Sequence, residues 1–235
     1  MAGVFINTGI YWEQNRPPHF ESLYPIVPLK FNNASTTTPI LATDTITRLR
    51  LMRAKTQYPP SQAITPSVKV DIPTTAFTAC GLWVAIAELN GIWSKSLPFQ
   101  VVMPSNDIAY IDTYMTGGAD YVVGGNTYPH RIFFRIANLQ IDTAEKVAKY
   151  DDERGTIIPL SATNFTTYTL QTMNTDAFTL EKLMKISNND HITLNYIDAD
   201  GNSQSANLIR TPEAPTIERY PKMSSGSFSC KFVKA

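Results

Sequence analysis

The segment Leu82-Trp83-Val84-Ala85-Ile86-Ala87-Glu88-Leu89-Asn90-Gly91-Ile92-Trp93-Ser94-Lys95 constrains the fold of this chain more than any other. Two aromatic-bearing runs meet at Asn90-Gly91, a dipeptide that accepts positive φ at both centres of a type I′ turn, whose twist matches that of paired strands. The segment predicts a β-hairpin, followed after Pro98 by the strand-like Phe99-Gln100-Val101-Val102. A second hairpin is predicted where Asp198-Ala199-Asp200-Gly201-Asn202 separates His191–Ile197 from Ala206-Asn207-Leu208-Ile209-Arg210.

Other strands surround these turns. Arg48 and Arg50 alternate with Leu49 and Leu51, and Val68-Lys69-Val70-Asp71-Ile72 alternates likewise, the period-two mark of half-buried strands. Ala109-Tyr110-Ile111-Asp112-Thr113-Tyr114 follows, then the turn-rich Gly117-Gly118 and Gly124-Gly125. Many short strands and frequent breakers predict a β-sandwich over residues 32–127. Beyond it, Arg131-Ile132-Phe133-Phe134-Arg135-Ile136 reads as a strand, and Asp142-Thr143-Ala144-Glu145 has the form of a capping box, which would start a short helix. Leu180, Leu183 and Met184 share one helical face while Glu181 and Lys185 stand four apart on the other, which predicts the one substantial helix at 176–187. A closing strand over 227–233 completes an α+β unit spanning 128–235. The fold class is therefore mainly β, a β-sandwich followed by a smaller α+β unit with one substantial helix.

Residues 1–31 form a third region. Pro17, Pro18, Pro25 and Pro28 are spaced as no helix tolerates, so the region reads as an extended arm with edge-strand pieces near 4–6 and 23–27. Neither a helix nor a central strand is open to it, so Tyr11, Trp12, Phe20, Leu23 and Tyr24 need another surface if they are to leave water. They are predicted to anchor the arm on a neighbouring subunit, proline's fixed φ reducing the entropy lost on docking.

Composition narrows the functional classes. The 235 residues carry 20 basic and 20 acidic side chains, so no net field draws the chain to nucleic acid or to anionic lipid. Charged residues make up 17%, below the roughly 25% of ordinary soluble domains, and a polar but weakly charged surface suits a protein covered by neighbours. Cys80 and Cys230 are the only cysteines and are expected as free thiols. Met1-Ala2-Gly3-Val4-Phe5-Ile6-Asn7 lacks the pattern of a secretory signal, and no apolar run reaches the roughly 18 residues of a membrane span, so the expectation is synthesis in the cytosol and solubility until assembly.

No set of residues with convincing chemistry emerges. His19, His130 and His191 are scattered, and Asp190-His191 are adjacent on a strand and point to opposite faces. Asp198-Ala199-Asp200-Gly201-Asn202 opens like a calcium loop but lacks its bidentate Glu and flanking helices. The Gly pairs open no helix and precede no Gly-Lys-Ser or Gly-Lys-Thr, and Asp151-Asp152-Glu153-Arg154 reads as a charged loop. No catalytic residue, metal or cofactor is expected, and the chain reads as a non-enzyme. Trp12, Trp83 and Trp93, with Tyr11, Phe99 and Tyr114, raise the alternative of a host-surface glycan stacking on exposed rings, although cross-strand packing in the hairpin accounts for at least one of them.

The hairpin segment Gly91-Ile92-Trp93-Ser94-Lys95-Ser96-Leu97-Pro98-Phe99-Gln100-Val101-Val102 resembles a module of tail and neck structural proteins from phages infecting Bacteroidetes, including crAss-like phages. In that module a Gly-aromatic-Tyr-Ser-Glu-Pro-Phe-like strand follows a tight turn; here Ser96-Leu97-Pro98-Phe99 stands in place of Ser-Glu-Pro-Phe. The second half is similar to the same proteins in order: Arg131-Ile132, the 151–154 loop, Thr169-Leu170, the helix through Leu180 and Ile186, then Asp190-His191-Ile192-Thr193. The resemblance covers about two-thirds of the chain and transfers no catalytic residue. It implies a virion protein of a tail, neck or baseplate ring, made in the host cytoplasm, whose partners are copies of itself and neighbouring virion proteins.

Overall fold

Asn90 and Gly91 take φ values of 53° and 75°, the left-handed pair a type I′ turn requires, and Leu89 pairs with Ile92 across them. In the computed structural model, which describes residues 3–12, 23–29, 31, 36–53, 62–151, 157–186, 188–219 and 225–235, this hairpin sits in a first sheet that begins near the N-terminus. Its strands are β1 (Phe5–Ile6), β2 (Ile26–Pro28), β3 (Thr37–Arg53), β4 (Gln62–Pro73), β5 (Gly81–Leu89), β6 (Ile92–Lys95) and β7 (Phe99–Val102). The order is β1-β3-β5-β7-β2, with β4 on β3 and β6 on β5, and the pairings are antiparallel except for β2 with β7. Alternation in β5 sends Trp83, Ala85, Ala87 and Leu89 inward, and the sheet wraps them together with Phe5, Trp12, Ile40, Ile46 and Phe99 in one core.

The second sheet comprises β8 (Ile108–Tyr114), β11 (His130–Asp151), β12 (Ile157–Thr172), β13 (Thr175–Asp176), β14 (His191–Ile197), β15 (Ser203–Arg210), β16 (Thr216–Arg219) and β17 (Ser225–Lys234). Between β8 and β11, β9 (Val122–Val123) and β10 (Asn126–Thr127) form a small separate hairpin. Pairing runs β12-β11-β8-β14-β15-β17 and returns from β17 to β12, which closes six antiparallel strands into a barrel. Alternate residues of each strand point inward: Ala109 and Ile111, Ile132 and Phe134, Tyr168 and Leu170, Ile192 and Leu194, Ala206 and Leu208, Phe228 and Phe232. The helix α1 (Ala177–Ile186) adds Leu180, Leu183 and Ile186 to that core. Its start is capped by the Asp176 carboxylate, which accepts from the Thr179 N–H at 3.0 Å. The molecule is thus mainly β, with α1 as the one α-helix among the described residues.

Three expectations change. The switch between sheets falls between Val102 and Ile108 and not at 127/128, because the edges of β8 are taken by β11 and β14. Asp142-Thr143-Ala144-Glu145 starts no helix: it lies inside β11, paired in register with Thr167, Thr166, Phe165 and Asn164. A capping box is a local signal, and a ladder of cross-strand hydrogen bonds outweighs it. The arm, thirdly, is part of the chain's own fold. Phe5 and Trp12 stack at 3.9 Å inside the first core, and Tyr11 reaches the barrel, where its hydroxyl donates to the Phe178 carbonyl at 2.8 Å. Phe31 joins Val102, Ile108 and Phe133 in a third cluster between the two sheets.

Candidate functional site

Among the described residues, the titratable groups do not converge on a reaction centre. His130 is fully buried, its Nε2 lies 2.8 Å from the Asp120 carbonyl, and burial pushes its pKa down to about 3, so it is a neutral core imidazole. His191 stacks on Tyr114 at 4.0 Å and keeps 3.9 Å from the Asp190 carboxylate. Cys80 and Cys230 are free, and burial pushes the Cys230 thiol up to about 11, away from a reactive thiolate. Burial lowers the Lys182 amine to about 8, with Asp120 opposing the shift, in a cleft of about 400 Å³ between the arm and α1. Tyr11 lines the same cleft, but its hydroxyl, pushed well up by burial and by Asp176 and Glu181, is engaged with Phe178. No group of three or more His, Cys, Asp or Glu side chains is arranged to hold a metal among the described residues. His19 lies outside them.

The Asp198 turn satisfies itself. One carboxylate oxygen accepts from the N–H groups of Asp200 at 3.0 Å and Asn202 at 2.8 Å, and the other accepts from Gln204 Nε2 at 2.7 Å. The carboxylate is organised by its own turn.

The arm residues expected as anchors have separate fates. Trp12 has no exposed surface and Tyr11 is buried, so both serve intrachain packing where contacts with a neighbour were expected. Leu23 and Tyr24 are half-buried and line a small pocket of about 190 Å³ with Phe133 and Asp176. Phe20 lies outside the described residues. Of the tryptophans, Trp83 packs edge-on against Phe77 in the core, while Trp93 is 41% exposed with the Arg50 guanidinium 4.8 Å from its ring centre.

What stands out is the long ribbon made by β11 and β12. β11 pairs with β8 only over residues 130–135, and β12 pairs with β17 only over 167–171. From Thr143 opposite Thr166 to Asp151 opposite Ile157, the two strands pair with each other and with nothing else among the described residues. Nine such residue levels at about 3.4 Å each carry the ribbon about 30 Å past the barrel. Its two edges differ in chemistry: β12 holds no charged residue along its 16 positions, whereas β11 carries Asp142, Glu145, Lys146, Lys149 and Asp151. Ile141 and Phe165 are 43% and 39% exposed near its base.

No protein-family model and no curated protein matches this chain.

The ribbon is therefore the longest stretch of strand edge left unpaired among the described residues. The sequence carries half a sign of it: residues 156–172, after the charged run Asp151-Asp152-Glu153-Arg154, are rich in Thr and other strand formers, but residues 136–150 hold a single Thr and fit a helix start equally well; residues 152–156 lie outside the described residues.

Proposed function

We propose that this chain is a bacteriophage virion structural protein, an oligomeric ring component of a tail, neck or baseplate. One observation carries the reading: the β11–β12 ribbon leaves the barrel with both outer edges unpaired among the described residues. An isolated two-stranded ribbon is marginal in water, and exposed edges are normally blunted with charge. The β12 edge has none, and although Pro159 and the register shift beside it interrupt the far end, residues 161–166 offer an unbroken uncharged edge that can receive another strand. Because the β11 edge is charged and the β12 edge is not, the pairing favoured is β11 of one copy to β12 of the next. Such a head-to-tail contact repeats into a ring when its rotation closes. The resemblance to phage tail and neck proteins supports the same role, with copies of this chain and adjoining virion proteins as partners and no catalytic duty.

The glycan-binding alternative needs several exposed rings around a groove. Trp12 and Trp83 are buried, and Trp93 lies beneath a guanidinium, which disfavours it. Native mass measurement of the purified chain, beside a variant in which residues 143–166 are replaced by an Asn-Gly turn, tests the ring reading. A wild-type oligomer that the shortened ribbon converts to a folded monomer is expected. A wild-type chain that stays monomeric at every concentration and fails to enter virions would overturn the reading.

A further inference from the structure

The helix α1 buries Leu180, Leu183 and Ile186 in the barrel core, while its residues 178, 181, 182 and 185, spaced as one helical face, line a cleft against the N-terminal arm. Tyr11 holds arm and helix together, its ring packing on Phe178 at 4.7 Å and its hydroxyl donating to the Phe178 carbonyl. The cleft of about 400 Å³ has apolar walls from Val4, Ile6, Tyr11 and Phe178. Four charged residues also line it: Asp120, Glu181, Lys182 and Lys185.

The four charges do not pair alike. Lys185 joins Glu181 at 3.2 Å, whereas the half-buried Lys182 makes neither a hydrogen bond nor an ion pair among the described residues, and the Asp120 carboxylate makes neither as well. This sets Lys182 apart from Lys69, Lys185 and Lys231, each of which has a carboxylate partner. Burial, the largest cause, brings its amine down to about 8 against the opposing pull of Asp120, with Lys185 adding to the fall and Glu181 resisting it. His130 is neutral and the Tyr11 hydroxyl is engaged, so neither adds charge.

The charge balance decides what such a cleft takes. A carboxylate or phosphate gains no net field there, because the two amines that line it are matched by two carboxylates. A neutral molecule with an apolar body meets the walls without that handicap, and a desolvated lysine amine is the nucleophile with which carbonyl groups react.

We propose that this cleft binds a small apolar aldehyde or ketone and that Lys182 Nζ captures it as an imine. The nitrogen lone pair attacks the carbonyl carbon, the carbon–oxygen bond breaks, and the oxygen leaves as water with the two protons that the amine gives up. None of the ribbon lines the cleft, and the inference does not rest on the ring reading.

The test treats full-length protein with benzaldehyde and cyanoborohydride at pH 7 and locates the reduced imine by peptide mass mapping. An amine that titrates near 8 is about one-tenth neutral at pH 7, against about one part in 2,500 for an ordinary lysine, and its lower basicity gives back part of that difference. Lys182 is therefore expected to label at least about tenfold faster than Lys95 and Lys185. Benzyl alcohol, which fills the cleft but forms no imine, should slow the labelling of Lys182 and spare the other two. Trace acetylation across a pH series should place the half-point of Lys182 near 8. Lys182→Gln should keep the circular dichroism of the wild type and lose the fast label. Labelling of Lys182 no faster than that of Lys95 and Lys185, or a half-point near 10, overturns the proposal. Fast labelling that benzyl alcohol leaves unchanged overturns it too, since it would show a reactive amine without a ligand site.

Discussion

Arg131 and Asp112 face each other on β11 and β8 and join at two points, Nε to Oδ1 at 2.7 Å and Nη2 to Oδ2 at 2.6 Å. The remaining nitrogen, Nη1, donates to the Thr37 carbonyl at 3.0 Å, and the Tyr110 ring centre lies 4.3 Å from the guanidinium. One side chain thus ties the barrel to β3 of the first sheet. Only a planar fork with donors on three sides can do this, which is why the position holds Arg and not Lys.

Arg131→Lys is expected to destabilise the protein by about 2 kcal/mol, between the figures for exposed and for buried ion pairs, since both side chains keep about a fifth of their surface in water. Asp112→Asn should cost a similar amount, and the double variant less than the sum. Urea unfolding of the three variants measures the coupling. Additive losses would show that the pair does not act as a unit.

Gly9 sits where the arm crosses the barrel, and a Cβ there would lie 2.6 Å from the Arg131 carbonyl oxygen. A backbone oxygen cannot swing aside as a side chain tip can. Gly9→Ala is therefore expected to cost about 1–3 kcal/mol by forcing the arm away from β11. Thermal unfolding reads the loss, and an unchanged midpoint would mean that the arm adjusts freely.

The buried His130 makes stability depend on pH. Its folded pKa of about 3 lies below the ordinary 6.5, so the unfolded chain binds the proton more readily. The stabilisation is complete above pH 6.5 and is lost as pH falls from there toward 3, at up to about 1.4 kcal/mol per unit. Asp107 acts with the same sign at lower pH: burial raises its pKa, but hydrogen bonds from Ser105 and Arg135 outweigh that and hold it below the usual carboxylate range. Denaturant midpoints at pH 7, 5.5 and 4.5 should fall in the wild type and flatten in His130→Gln. An equal slope in both would rule out His130 as the titrating group.

The sequence made local features readable and left the distant ones hidden. Asn90-Gly91 demanded its hairpin because positive φ is a property of two residues, and α1 was visible because Leu180, Leu183 and the Asp176 cap lie within three turns. The division between sheets was not visible, since β8 belongs to the barrel only through β11 and β14, which come later in the chain. The ribbon was hidden for the same reason: Asp142-Thr143-Ala144-Glu145 fits a helix start until its pairing with residues 164–167 is known. Prolines predicted an extended arm; Ile26–Pro28 is a strand, and residues 13–22 lie outside the described residues. The prolines carried no information on whether the arm's rings would meet this chain or another, which depends on how the first sheet wraps.

Trp12 decides that last point by experiment. It is fully buried, stacked on Phe5, bridged to Ser96, and its backbone N–H donates to the Asn7 side chain at 2.8 Å. Truncation to Ala should cost about 3–5 kcal/mol through the cavity it leaves. The indole Nε1, however, is buried without a hydrogen-bond partner among the described residues, so Trp12→Phe removes an unsatisfied donor while keeping a stacked ring. It should therefore cost much less than Ala, about 1–2 kcal/mol. Both losses should appear in denaturant unfolding of the dilute monomer, independent of protein concentration. A Trp12→Ala chain that is as stable as the wild type but fails to assemble would return the arm to an interface between subunits; a concentration-independent loss of stability places it in the core of the chain that carries it.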